Sequence, residues 1–190
     1  MNNQVFQWIW VVLFYGWTAS EIGIGIVTRT RGGKGNVRDR GSLPLLWIVI
    51  FSTITYGMSY RLGPDLPGLG IYYRWASLLI LAAGLVFRWT AIVTLGKSFS
   101  SNVAIRSTQT VLKTGLYHWM RHPSYSGLLL CIFAVALHTH NWISLLVIML
   151  PSAAALLYRI HVEEIALREH FGSEYIEYSR QTKRLVPGLY

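Results

Sequence analysis

The sequence predicts an all-α, polytopic membrane protein with about five transmembrane helices and an amphipathic helix at its carboxyl end. Three observations carry this. Of the 190 residues, 53% are apolar and 14% aromatic. Only 13% are charged, about half the ~25% usual in soluble domains. The apolar residues gather in stretches near the ~20 residues that a ~30 Å hydrocarbon core requires of a helix. A chain this rich in Trp, Tyr and Leu is not disordered.

The first stretch, residues 5–27, is too long for a signal-peptide core. It has no basic region ahead of it and no clear small-residue cleavage site, so it reads as a mature helix. The second and third cover residues 43–60 and 75–95. The fourth and fifth, 124–137 and 142–160, are separated only by His138-Thr139-His140-Asn141, which predicts an antiparallel helical hairpin. Beyond them Leu167, Phe171, Tyr175 and Tyr178 recur at spacings of four, four and three. That period predicts an amphipathic helix lying on the membrane and closing a site from below. The run Gly63-Pro64-Asp65-Leu66-Pro67-Gly68 reads as a loop. Arg31-Gly32-Gly33-Lys34-Gly35 lacks the strand, spacing and Lys-Ser/Thr ending of a phosphate-cradling loop and reads as a solvated basic loop beside anionic headgroups. No internal repeat is visible, and residues 1–190 read as one integral membrane domain.

The net charge of +9 comes from 17 Lys and Arg against 8 Asp and Glu. With five spans, all these cations except Arg61, Arg74 and Arg88 fall on one side of the membrane or at its boundary. The positive-inside rule then places the amino terminus outside and the carboxyl terminus in the cytoplasm. The excess charge is therefore an orientation signal, and no nucleic-acid partner is expected. The lone Cys131 excludes an intramolecular disulfide and a multi-cysteine zinc site. His138 and His140 have no nearby carboxylate or cysteine, so no metal site is expected.

The informative polar residues lie on the inner side of the last two spans. Gln109-Thr110-Val111-Leu112-Lys113-Thr114-Gly115-Leu116-Tyr117 leads into Arg121-His122-Pro123-Ser124-Tyr125-Ser126-Gly127 at the start of the fourth helix. Pro123 suits a first helical position. The N–H groups after it offer an anion site, fit for the carboxylate of an amino-acid-like ligand. At the inner end of the fifth helix Arg159 and Glu163 stand four apart, on one face, so they pair or frame a common pocket. Glu164 points about 100° away from Glu163. His161 and His170 read as surface residues. Arg88, about 10 Å by helical rise from the inner end of the third span, reads either as a second contact for an acidic substrate or as a snorkelling side chain. Glu21 is expected to pair with a basic inner-loop residue.

At these residues the chain resembles the isoprenylcysteine carboxyl methyltransferase family of integral membrane enzymes, as a short, prokaryotic-type member of an inner membrane. The matching text is residues 112–117, RHPSYSG at 121–127, EEIALREHFGSEYIEY at 163–178 and Val186-Pro187-Gly188-Leu189. It covers about the last 95 residues, the catalytic half from about residue 96. The resemblance implies S-adenosyl-L-methionine as methyl donor, held between the last two spans and the carboxyl-terminal helix. Carried over by position, its cofactor contacts fall on Gln109, Thr110, Val111, Leu112, Tyr117, His122, Pro123, Ser124, Tyr125 and Glu163, and its substrate-facing arginine on Arg159. Gln109 stands where the eukaryotic pattern has His. The implied reaction is methyl transfer at the cytoplasmic membrane face to a carboxylate of a lipophilic, isoprenylcysteine-like acceptor, among membrane lipid.

An acceptor carboxylate is ionised at neutral pH and needs orientation, which the planar donor fork of Arg159 supplies, with Arg88 as a second candidate. A protonated amine, as in phospholipid N-methylation, would first need a base, and Glu164 or His161 is the candidate. Glu164 is therefore grouped with Arg159 among the candidate catalytic residues. An NADPH-dependent sterol-reductase-like enzyme and a non-catalytic membrane scaffold are the remaining alternatives.

Overall fold

The computed structural model describes residues 3–28, 36–37, 39, 41–60, 63–101, 104–105, 110–188 and 190. Its helices are α1 (Asn3–Thr28), α2 (Ser42–Ser59), α3 (Gly70–Leu95), α4 (Pro123–His138), α5 (Trp142–Phe171) and α6 (Ser173–Gln181). The only sheet among the described residues is the two-residue antiparallel pairing of β1 (Asn36–Val37) with β2 (Ala104–Ile105). The all-α expectation therefore holds. Four helices, α1, α2, α3 and α5, are long and apolar enough to cross a membrane. The fourth expected span, α4, has 16 residues, short of the ~20 that a full crossing takes.

What α4 lacks in length it makes up in burial. Leu128, Cys131, Ile132, Ala134, Val135 and Ala136 are all at most 1% exposed, so α4 is the central helix, with α3 and α5 around it. Two glycines permit the close α3–α4 approach. A Cβ on Gly84 would lie 2.9 Å from Cys131 Sγ, and one on Gly127 would lie 2.6 Å from the backbone nitrogen of Arg88. Small residues at such crossings are how membrane helices gain packing without a hydrophobic driving force between them.

The hairpin turn between α4 and α5 forms as expected, and Asn141 organises it. Its Oδ1 accepts from the N–H of Ser144 at 2.9 Å, capping α5, and its Nδ2 donates to the carbonyls of Gly63 and Pro64 at 3.3 and 3.2 Å. Nearby, His138 stacks on Trp10 of α1 with ring centroids 3.8 Å apart.

Two features differ from expectation. Helix α5 does not stop near residue 160. Nothing between Ile160 and Phe171 breaks a helix, and Ile160, Val162 and Ala166 extend its buried face, so it runs on to Gly172, whose φ of +57° ends it. The aromatic stripe is consequently split, with Leu167 and Phe171 on α5 and Tyr175 and Tyr178 on α6. Glu21, in turn, pairs with Arg88 of α3: Arg88 Nη2 donates to Glu21 Oε2 at 2.6 Å and Nε to Oε1, while Trp17 Nε1 also donates to Glu21 at 3.1 Å. Arg88 Nη1 donates to the carbonyl of Ser124 at 2.9 Å. The arginine thus joins α1, α3 and the first turn of α4.

Replacing Gly127 by Ala is expected to lower the thermal midpoint in detergent, by the equivalent of about 1–3 kcal/mol of overpacking. Gly16→Ala, where an added Cβ meets nothing within 4 Å, is expected to be neutral or slightly stabilising.

Candidate active site

At the end of the bundle where α4 begins, a cavity of about 830 Å³, open mouth included, lies between the 98–100 segment, residues 110–117, the start of α4, the end of α5 and α6. Of the ten predicted cofactor contacts, Thr110, Val111, Leu112, Tyr117, His122, Ser124, Tyr125 and Glu163 line it. Pro123 is buried behind them as the first residue of α4, and Gln109 lies outside the described residues. Leu167, Phe171, Tyr175 and Tyr178 form its floor. The split stripe therefore lines the cavity from a two-helix corner and not from a single helix.

Backbone pairing fixes this wall. The N–H groups of Arg121 and His122 donate to the carbonyls of Lys183 and Arg184 at 2.8 and 3.0 Å. Ser126 Oγ donates to the carbonyl of Leu185 at 2.6 Å, and the Tyr178 hydroxyl to that of Tyr117 at 2.6 Å. The expected row of free N–H groups after Pro123 is shorter than predicted, because those of Tyr125 and Ser126 turn back to the His122 carbonyl at 3.0 and 3.2 Å. Two other polar atoms are under-satisfied: the Tyr175 hydroxyl is buried with no hydrogen-bond partner, and His122 Nε2, also buried, has only the Glu164 carboxylate 3.5 Å away. Both residues line the cavity. A buried polar atom left unpaired costs about 1–3 kcal/mol, so the Tyr175 hydroxyl marks where a polar ligand gains most. Burial raises the phenols of Tyr117 and Tyr175 above the usual tyrosine range, which keeps both as neutral O–H donors at physiological pH.

A second cavity, about 400 Å³, shares Phe99, Ser100 and Tyr125 with the first. Its walls are Ile24 and Gly25 of α1, Leu43, Leu46 and Trp47 of α2, Leu128 of α4, and the charged side chains Glu21, Arg88 and Arg159. Tyr125 joins the two chambers. Its hydroxyl donates to Glu163 Oε2 at 2.7 Å on one side and accepts from Arg159 Nε at 3.2 Å on the other. Arg159 and Glu163 do share a face, as their spacing predicted, with a tyrosine hydroxyl between them. Arg159 is only 1% exposed. Its Nη1 donates to Asp39 and, at 2.6 Å, to Ser42 Oγ, and its Nη2 donates to the carbonyl of Ser101.

Glu164 lies outside both cavities. Its carboxylate accepts from Arg121 at 3.0 Å, from Arg184 at 3.0 and 3.1 Å and from Arg168 at 3.3 Å, with His122 Nε2 3.5 Å away. Three guanidiniums occupy the carboxylate's hydrogen-bonding positions and leave it no approach to a substrate. Its position is structural, tying α5 to the start of α4 and to the tail after α6. His161 and His170 are exposed, as expected. Among the described residues no group of three His, Cys, Asp or Glu side chains converges to hold a metal ion. Asp39, Ser42, Ser101 and Tyr175 were not singled out as site residues from sequence. Only the place of Tyr175 in the aromatic stripe pointed towards the site.

Comparison with known proteins gives a consistent family signal. A model of the isoprenylcysteine carboxyl methyltransferase (ICMT) family matches residues 76–169. Protein-S-isoprenylcysteine O-methyltransferase B of Arabidopsis thaliana is 34% identical over 126 residues, covering 64% of each chain. The protein-S-isoprenylcysteine O-methyltransferase of Saccharomyces cerevisiae is 36% identical over 111 residues, covering 57% of this chain and 46% of the relative. The chain thus spans about half to two thirds of the length of these relatives. A solved structure of the eukaryotic intramembrane Ras methyltransferase ICMT superposes with a TM-score of 0.57 at 25% identity, over 78% of this chain and 51% of that one. These matches and the apolar helices make the chain an integral membrane protein.

Glu164→Gln is expected to lower stability by about 3 kcal/mol, the low end for breaking a buried ion cluster because Arg168 and Arg184 keep contact with solvent. Thermal unfolding in detergent checks it.

Proposed function

We propose that this chain, a relative of the isoprenylcysteine carboxyl methyltransferases, transfers a methyl group from S-adenosyl-L-methionine to a carboxylate of a lipophilic, isoprenylcysteine-like acceptor. The observation that carries the reading is the meeting of two chambers at Tyr125, one lined by polar side chains that include the open Tyr175 hydroxyl and the other by apolar side chains and Arg159. The reaction takes place at the cytoplasmic face, with the cavity end of the bundle, the loop after α1 and the carboxyl-terminal tail in the cytoplasm. The membrane is a prokaryotic inner membrane.

The residues of the larger cavity fit the cofactor. The Tyr175 hydroxyl is partnerless there, Glu163 supplies a carboxylate for a cationic or hydroxyl group, and Val111, Leu112 and Phe171 supply apolar walls. When bound, S-adenosyl-L-methionine supplies an electrophilic methyl group on a sulfonium. The protein's work is alignment and exclusion of water. Arg159 fixes the acceptor carboxylate from the second chamber, Tyr125 sets the guanidinium against Glu163, and Ile24, Leu46 and Trp47 flank the acceptor's apolar chain.

No proton need be removed from a carboxylate, and the chain's residues agree with that. Glu164, the base that amine methylation would use, is enclosed by arginines away from both chambers, and His161 is exposed on α5. The geometry therefore favours the carboxylate acceptor over the amine. The relatives named above all carry methyltransferase names, which speaks against the reductase and scaffold alternatives.

Calorimetry in nanodiscs is expected to detect binding of S-adenosyl-L-methionine and of its demethylated product, and folded protein that binds neither would overturn the reading. Arg159→Lys keeps the charge but loses the planar fork. It is expected to cut acceptor turnover about 10- to 100-fold, the worth of one charge-assisted contact, with cofactor affinity unchanged. Glu163→Ala is expected to weaken cofactor binding instead, and the reverse pattern would exchange the two roles.

A further inference from the structure

Arg159 faces the acceptor chamber, yet its guanidinium is already engaged. Nε meets the Tyr125 hydroxyl, Nη1 meets Asp39 and Ser42 Oγ, and Nη2 meets the Ser101 carbonyl. Three of these partners are neutral. Asp39 is the charged one, and chemically it is what an acceptor carboxylate also is: an anion that accepts hydrogen bonds from a guanidinium fork.

The chamber's other arginine, Arg88, is paired in the same way with Glu21, but the two pairs differ. Glu21 and Arg88 are both enclosed, with side chains 3% and 6% exposed. Asp39 is 15% exposed against 1% for Arg159, so the carboxylate is the less enclosed member of its pair. Asp39 also has a second place to rest. Its Oδ1 accepts from Ser42 Oγ at 3.0 Å and its Oδ2 from the Leu43 N–H at 3.3 Å, in the first turn of α2, where a carboxylate is favoured. Released from Arg159, Asp39 keeps both bonds.

We propose that Asp39 is an internal stand-in for the acceptor: its carboxylate neutralises Arg159 while the chamber is empty and yields the guanidinium when an acceptor carboxylate arrives. Two carboxylates on one guanidinium repel each other, so one leaves as the other enters. The exchange keeps one carboxylate on the Arg159 fork throughout. It also makes Asp39 a specificity-determining residue. A neutral acceptor or an amine offers Arg159 no charge in return and does not displace Asp39, so only an anionic acceptor gains the fork. This inference rests on the carboxylate reading of the function.

Asp39→Asn tests it, because Asn caps a helix as well as Asp does but carries no charge. Asp39→Ser, another capping residue, serves as a second variant. In nanodiscs, the KM for an S-isoprenylated N-acetylcysteine and the inhibition constant of its carboxamide analogue are measured, with cofactor affinity as the check on folding. Both variants are expected to lower the KM of the acid about tenfold, one competing charge-assisted contact having been removed, and to leave the amide unchanged. An unchanged or raised KM with intact cofactor binding would show that Asp39 positions Arg159 and does not compete for it, overturning the proposal. Equal tightening of acid and amide would overturn it too, as a mere loosening of the chamber. If wild-type protein neither binds nor methylates the acid, the carboxylate reading itself falls, an outcome separate from a wild type that turns over normally beside variants that gain nothing.

Discussion

A charge carried into the low-dielectric interior of a membrane protein must bring its counter-charge with it. Arg88 and Arg159 obey this constraint with Glu21 and Asp39, and much of the architecture follows. The first pair fastens α1 to α3 and, through the Ser124 carbonyl, to the first turn of α4. The second fastens the segment ahead of α2 to α5. Because Glu21, Arg88 and Arg159 border one chamber, the groups that neutralise the interior also set what that chamber accepts. Charge pairing here is an assembly rule first and a recognition element second.

Helix α4 converts this frame into a site. It is too short to rank with the four longer helices, but it is buried nearly all round, and Gly127 lets the backbone of α3 approach at Arg88. That contact fixes the rotation of α4 so that Ser124 and Tyr125 emerge between the two chambers. The tail after α6 pins the same turn from the other side through Arg121, His122 and Ser126. A helix start held from two directions can present Tyr125 at a defined place.

The long helices were legible because hydropathy reports length and burial at once, and the α4–α5 hairpin because four polar residues cannot span a gap. The wall of the larger cavity was legible from the ordered blocks between residues 110 and 125 and from Glu163. What sequence did not show was pairing. Asp39 and Arg159 are 120 residues apart, and no local period links them. Glu21 carried a signal of its own, a carboxylate within an apolar span, but its partner was sought in the nearest basic loop and lies on α3. The end of α5 was misjudged because hydropathy falls at the charged stretch after Ile160, while helical continuity is decided by Gly172. Glu164 looked like chemistry from its place beside Glu163, and the helical period that turns it 100° away also turns it into the arginine cluster.

The wall shared by the two chambers, Phe99, Ser100 and Tyr125, has a consequence for supply. Under the proposed function one reactant dissolves in water and the other in the bilayer, and neither has to enter the other's solvent. The donor arrives from a three-dimensional bulk, the acceptor from a two-dimensional film. The effective abundance of the acceptor is then a mole fraction of lipid, so diluting the protein's membrane with inert lipid would slow turnover per protein molecule at constant volume, whereas diluting the aqueous suspension at fixed donor concentration would not.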